Sequence, residues 1–284
     1  MRIVDMYGRG RPVFSFEFFP PRSDEGYASL YRTIADLKLL NPDFVSVTWG
    51  AGGSTRRKTV ELVIRIQHEL GITAMAHLSC IGSTTQDLSR TLDQLAGAGI
   101  ENVLALGGDR PPDYVPPLDG FTYANELVEF IRGSMPLCIG GACYPETHKD
   151  ALSPEVDLGN LCKKVRAGSD FLISQLFFDN RDFFAFEKRA RDAGIEVPIV
   201  PGIMPIISVA NVRRMTSLSG AQVPEALQTR LSAAEGDDDE TRRVGVEWAA
   251  MQCRELLERG APGIHFYTLN RSASTRTVFE QLLG

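Results

Sequence analysis

Short runs of β-branched and aromatic residues alternate along this chain with stretches whose apolar positions recur every three or four residues. Eight runs read as strands: Val13–Phe18, Phe44–Thr48, Ile72–His77, Asn102–Leu106, Leu137–Ala142, Phe171–Gln175, Pro198–Pro201 and Ile264–Thr268. Between them, Leu30, Ile34 and Leu37 fall at i, i+4, i+7, as do Leu88, Leu92 and Leu95. Leu158, Leu161 and Val165 fall at i, i+3, i+7, so each of three helices is predicted to bury one stripe. Gly71, Gly99, Gly168, Gly194 and Gly260 each close a helical pattern just before a strand, where glycine supplies the left-handed conformation that ends a helix.

Spacing turns this alternation into an architecture. Glu17, Thr48, His77, Asp109, Tyr144, Gln175 and Gly202, each near the C-terminal end of a strand, follow one another at intervals of 31, 29, 32, 35, 31 and 27 residues. That is a repeated βα unit. The last interval, to Thr268, is 66 residues. It holds an acidic run, Glu235–Glu240, and an apolar stripe of Val246, Ala250, Cys253 and Leu257, which predicts an extra helix or two. Eight such units in about 250 residues predict an α/β chain folded as one (β/α)8 TIM barrel over residues 1–284, with a helical insertion before the eighth strand. A doubly wound open sheet is the alternative. No GxGxxG follows the first strand, which argues against a dinucleotide-binding unit of that kind.

Composition narrows the function. Of 284 residues, 43% are hydrophobic and 23% charged, an ordinary globular balance. No apolar run approaches the ~18 residues of a membrane helix, and the N-terminus lacks the apolar run of a signal peptide. Lys and Arg number 30 against 36 Asp and Glu, a net charge of −6, so nucleic acid is not an expected partner. The five cysteines form no CxxC and the four histidines no HExxH or HxH. Neither a disulfide framework nor a metal is expected, and the chain reads as reduced and cytoplasmic.

In a barrel, chemistry gathers at the C-terminal ends of the strands. Strand one carries Glu17 within Phe16-Glu17-Phe18-Phe19, and alternation puts Ser15 and Glu17 on one face, Phe16 and Phe18 on the other. A carboxyl in apolar surroundings is expected to have a raised pKa, which suits a general acid; a structural glutamate bonded to a loop is the alternative. Thr48 and Trp49 lead into a glycine-rich turn through Ala51 that lets backbone approach a flat or phosphorylated ligand. His77, which ends strand three, reads by residue type as a core histidine with one partner ahead of a ligand. Gly107-Gly108-Asp109 before two prolines describes a turn that presents one carboxylate. Asp157, Asn160 and Lys164 share a helix face with Lys163 beside them, either a solvated face or a clamp for phosphate or ribose. Gln175 can offer an amide to a heterocycle. No lysine lies inside a strand, which weakens a Schiff-base aldolase. These residues alone describe a barrel enzyme acting on a heterocycle.

Eight motifs in order, Phe14–Pro21 (FSFEFFPP), Val45–Gly50 (VSVTWG), Ala76–Cys80 (AHLSC), Gly108-Asp109, Tyr144-Pro145-Glu146 with His148, Gln175–Asp179 (QLFFD), Pro201–Pro205 (PGIMP) and His265–Arg271 (HFYTLNR), resemble those of the 5,10-methylenetetrahydrofolate reductases, in their short bacterial form. The resemblance implies an FAD-dependent oxidoreductase of one-carbon and methionine metabolism, reducing methylenetetrahydrofolate by a ping-pong mechanism with electrons from NADH or NADPH. It implies Glu17 as the acid that protonates folate N10 and Asp109 as the charge beside flavin and pterin. Flavin contacts would be Thr48, Trp49, Ala51, His77, Gly107, Gly108, Asp109, Tyr123, Ala124, Tyr144, His148, Ala151, Asp157, Asn160, Lys163 and Lys164. Folate or nicotinamide contacts would be Glu17, Asp109, Gln175, Asn211, Met215 and Arg271. Gly107 stands where the family has an arginine, and Asn211 and Met215 where it has a glutamine and a phenylalanine. A homo-oligomer is expected. A flavin-independent transfer from nucleotide to folate, or a subunit that takes electrons from a partner protein, is the alternative.

Overall fold

The computed structural model of the chain describes residues 1–49, 53–110, 114–115 and 117–283. Nine parallel strands form one sheet: β1 (Val13–Phe18), β2 (Phe44–Val47), β3 (Ala74–Ser79), β4 (Asn102–Leu106), β5 (Cys138–Cys143), β6 (Phe171–Ser174), β7 (Ile199–Val200), β8 (Gly202–Ile203) and β9 (Gly263–Tyr267). Their order is β7-β6-β5-β4-β3-β2-β1-β9-β8. The two ends of that order follow one another in the chain, so the ring closes through Pro201. Proline has no N–H to give a ladder. The seventh barrel strand therefore changes partner there, β7 pairing with β6 and β8 with β9. Pro201 still accepts, from the His265 amide at 2.9 Å.

Helices α1 (Asp24–Lys38), α2 (Gly53–Leu70), α3 (Thr85–Gly97), α4 (Ala124–Ser134), α5 (Pro154–Arg166) and α6 (Asn180–Asp192) follow the first six strands. Three helices, α7 (Val209–Ser219), α8 (Glu225–Ala233) and α9 (Asp238–Glu258), fill the long interval before β9, and α10 (Ala273–Leu283) follows it. The predicted insertion is thus two helices. Asp237 caps α9 by accepting from the Asp239 and Glu240 amides, so the acidic run lies at the positive end of the helix. The five predicted glycine stops all have positive φ, from 66° to 121°.

The predicted stripes of α1 and α3 are fully buried, whereas on α5 only Leu161 is. Leu158 and Val165 are partly buried against the core, and the polar face of α5 lines a cavity. Phe16 and Phe18, both 0% exposed, face outward from β1 into the helix layer with Leu30 and Ile34. Burial of each such ring contributes about 2–3 kcal/mol. Inside the barrel, Val13, Phe44, Met75, Leu104 and Phe171 form an apolar floor, plugged from below by Ile3 and Met6 of a short N-terminal turn. Above that floor the interior turns polar, with Ser15, Ser46, His77, Ser174 and His265 all buried. All five cysteines are free. Among the described residues, no helix is long and apolar enough to cross a membrane.

Candidate active site

Inward parity carries Ser15 and then Glu17 up the inner wall of β1. Glu17 is paired in register with Ser46 of β2 and Tyr267 of β9. Its side chain is 18% exposed and lines a cavity over the barrel axis. Oε2 lies 3.4 Å from Nε2 of His77 and 3.4 Å from Nε2 of His265. The His265 contact is a hydrogen bond; His77 Nε2 is buried without one.

This arrangement corrects the raised pKa expected from the aromatic run. Burial does push the Glu17 carboxyl up, but the His265 hydrogen bond and the two nearby imidazoles outweigh it, so the net shift is downward. The phenylalanines are not its surroundings, because they lie on the other face of the strand. His77 is pushed down to about 4, chiefly by burial, against the pull of Glu17. Both groups are depressed below their unfolded values. The stability that goes with neutral His77 is present above pH ~6.5 and is lost as the pH falls through about 4, up to about 3 kcal/mol, whereas that of Glu17 is lost only below its ordinary value of 4.5. We expect the Tm to fall between pH 6.5 and 4, and His77→Gln to flatten that fall. Equal slopes for variant and parent would refute the assignment.

The cavity has two adjoining lobes. The axial lobe, about 660 Å3, is lined by Glu17, Thr48, Trp49, His77, Gln175 and Met215 among others. The lateral lobe, about 820 Å3, lies against α5 and the start of α4, and takes in Tyr123, Ala124, Ala151, Asp157, Asn160, Lys163 and Lys164. Gly107, Gly108, Asp109, Tyr144 and His148 border both. Asn211 and Arg271 line neither lobe, and Ala51 lies outside the described residues. Asn211 sits in the first turn of α7 with its amide N–H capped by Ser208 and its Oδ1 buried without a partner. Arg271 is exposed after β9.

Asp109 is presented by the turn that the glycines predict. Gly107 O accepts from the Ile81 amide at 3.0 Å and from Ser79 Oγ at 2.9 Å, and Gly108 has φ +95°. The Asp109 side chain is 98% exposed, 3.8 Å from Lys149 Nζ. Gln175 Oε1 accepts from the Leu176 amide at 2.9 Å, which leaves the NH2 end as the donor for a ligand. In the lateral lobe Asp157 accepts from the His148 amide at 3.0 Å and Lys163 donates to Asn160 at 3.5 Å. Lys164 donates to Ala142 O at 2.6 Å, and burial lowers its pKa. Tyr144 meets His148 edge-on, ring centroids 4.5 Å apart, and burial raises its phenol.

Several wall residues were not singled out from the sequence. Arg56 donates to Gly82 O at 2.8 Å and lies 5.8 Å from the Trp49 ring. Tyr114, Tyr267, Arg110 and Lys149 also line the lobes. Tyr267 and His265 share the inward parity of β9, in register with Glu17 and Ser15 of β1.

Fold and site together define a (β/α)8-barrel protein whose C-terminal rim holds a two-lobed cavity for a large ligand. The chain matches the methylenetetrahydrofolate reductase family over residues 2–283 and belongs to that family. It is 36% identical over 295 residues to methylenetetrahydrofolate reductase (NADH) 1 of Zea mays, covering 99% of this chain and 50% of that one. It is 36% identical over 275 residues to 5,10-methylenetetrahydrofolate reductase of Escherichia coli (strain K12), covering 96% and 92%. The chain thus spans about half the length of the plant relative and nearly all of the bacterial one. Among solved structures, an uncharacterized protein from Clostridium thermocellum that binds two copies of 5-methyl-5,6,7,8-tetrahydrofolic acid shares the fold at TM-score 0.68 and 15% identity, covering 96% of this chain and 94% of that one.

Proposed function

We propose that the protein reduces 5,10-methylenetetrahydrofolate to 5-methyltetrahydrofolate, using FAD bound across the two lobes and electrons from NADH or NADPH in a ping-pong sequence. The observation that carries this reading is Glu17, an inward carboxyl on the wall of the axial lobe with one oxygen held from behind. The names of the plant relatives favour NADH as donor. The folate found in the Clostridium thermocellum protein supports a folate substrate on this fold.

The residues present fit a flavin dinucleotide. Trp49 Nε1 and His77 Nε2 are buried on the axial wall without hydrogen-bond partners, as donors or acceptors for a heterocycle would be. Lys163 and Lys164 suit the pyrophosphate, Asp157 and Asn160 a ribose, and Tyr123, Ala124 and Ala151 the adenine end. Thr48, Trp49, His77, Gly107, Gly108, Tyr144 and His148 would surround the ring system. Bound there, the flavin would take up and return hydride.

Glu17 supplies the proton that opens the folate's five-membered ring at N10, leaving an iminium carbon as hydride acceptor. Its depressed pKa requires the proton to arrive with the folate. Seating the substrate strips the remaining water from the carboxyl, which favours its neutral form. After transfer, the regenerated carboxylate and Asp109 oppose the iminium charge. Gln175 offers its amide to the pterin or nicotinamide, and Met215 closes the same wall.

The test is optical. Purified protein should absorb near ~450 nm, bleach with NADH or NADPH, and recover on addition of methylenetetrahydrofolate. Protein that is colourless and cannot be reconstituted with FAD would overturn this reading. Bleaching by neither nucleotide but by a partner protein would point to a partner-fed subunit instead.

A further inference from the structure

Behind Glu17 runs a short chain of buried polar atoms. Ser15 and His265 are both 0% exposed and lie opposite each other in register on β1 and β9. Ser15 Oγ is 2.8 Å from His265 Nδ1, and the other ring nitrogen reaches Glu17 Oε2 at 3.4 Å. The ring is held on its faces as well as its edges. Phe44 stacks against it with centroids 6.3 Å apart and planes at 18°. Tyr267 meets it edge-on at 5.3 Å and 89°, its own hydroxyl fixed by donation to Ser174 O at 2.6 Å. Thr268 Oγ1 donates to the Glu17 carbonyl at 2.6 Å, so the backbone of Glu17 is tied to the same strand end.

A buried imidazole costs free energy unless both nitrogens find partners, and here both do. The hydrogen positions follow from the acceptors. An ionised carboxylate can only accept, so in the neutral ring Nε2 carries the hydrogen and Nδ1 accepts from the Ser15 hydroxyl. The two oxygens of Glu17 then differ. Oε2 faces two imidazoles, and Oε1 is the oxygen left to meet a ligand.

We infer that His265 is a positioning residue for Glu17: oriented by Ser15, its Nε2–H holds Oε2 so that the carboxyl presents Oε1 to the cavity, and it stabilises the carboxylate once the proton has left. The kinetic consequence rests on the folate reaction proposed above; the positioning itself does not. The titratable groups that face Glu17 are His77 from β3 and His265 and Tyr267 from β9. His77 lies equally near but makes no aligned hydrogen bond, and the Tyr267 hydroxyl is spent on Ser174. His265 alone of the three can steer the carboxyl.

Two substitutions separate the ring's two jobs. The amide of His265→Gln reaches about where Nε2 lies and can still donate to Glu17. That of His265→Asn reaches only about where Nδ1 lies and can serve Ser15 alone. The Glu17 carboxyl is followed by 13C NMR titration in protein without substrate or nucleotide, assigned by the signal lost in Glu17→Gln. His265→Asn should raise the titration midpoint by about one pH unit, Ser15→Ala should raise it less, and His265→Gln should return it towards the parent value. In stopped-flow assays His265→Asn should slow the folate half-reaction by ~30-fold, leave reduction by nucleotide within ~3-fold, and move the descending limb of the folate pH profile upward. His265→Gln should recover most of that loss. If His265→Asn does not fold, the Ser15→Ala titration decides. A midpoint unmoved in His265→Asn, or in Ser15→Ala where His265→Asn does not fold, or equal slowing of both half-reactions, overturns the inference. Parent protein that reduces no folate would count against the proposed function while leaving the titration result standing.

Discussion

Glu17→Gln should slow the folate half-reaction by ~10²-fold or more and leave uptake of electrons from nucleotide largely intact. The substitution preserves the shape of the side chain and still lets an oxygen accept from His265. It removes the one thing the acid step needs, a proton that can leave. The parent carboxyl lies on the wall of the axial lobe, 18% exposed, with His77 and His265 behind it. Among the described residues no other acid lines that lobe except Asp109, which sits out on the rim at 98% exposure. Stopped-flow absorbance resolves the two half-reactions separately. A matching fall in both, with Tm unchanged, would make Glu17 a binding or structural group and would remove the acid from the mechanism.

Gly108→Ala should be the most damaging small change at the rim. Two independent costs meet at this residue. Its φ of +95° is one that L side chains rarely adopt, and a Cβ there would lie 2.0 Å from Ser79 Oγ and 3.2 Å from Ile81 Cβ. The hydroxyl cannot simply swing aside, because it donates to Gly107 O and helps hold the turn. We expect about 3 kcal/mol of destabilisation, a fall in Tm of order 10 °C, and loss of retained flavin, since this turn borders both lobes. Differential scanning calorimetry together with the visible absorbance of the purified protein checks both parts. An unchanged Tm would show that the turn relaxes freely; Ser79→Gly in the same chain should recover part of the loss if the clash is its cause. Gly107, by contrast, has nothing within 4 Å of an added Cβ, so Gly107→Ala should be tolerated.

How far the site could be read in advance depended on the range of the signal. The turn at Gly107–Asp109, the polar face of α5 and the inward parity of Glu17 all follow from neighbours a few residues away, and all three appear at the cavity. The α5 stripe is less buried than its period predicts: Leu158 and Val165 are only partly buried, because the opposite side of that helix is a cavity wall that periodicity cannot reveal. Arg56 and Lys149 carry no local signal for a similar reason. Arg56 reaches the cavity wall from the first turn of α2, where nothing in the helical period marks it, and Lys149 becomes relevant only because the next strand over brings Asp109 within 3.8 Å. The sequence predicts the seventh strand as one piece, and it splits at Pro201, whose missing N–H forces the change of partner.

By counting alone, the chain determined a ring of eight βα units, the helical insertion near its end, and the side of each strand that faces inward. Alternation, helical period and glycine stops are local rules, obeyed wherever the segment ends up. The tertiary structure alone decided what each inward residue meets. Glu17 sits in a run of phenylalanines along the chain, yet in space those rings face the helices, and its side chain's hydrogen-bond partner is a histidine 248 residues away. A carboxyl's charge state depends on the groups within a few ångströms of it, and those arrive from other strands when the ring closes. Its downward shift, opposite to what the flanking residues suggest, is therefore a property of the closed barrel.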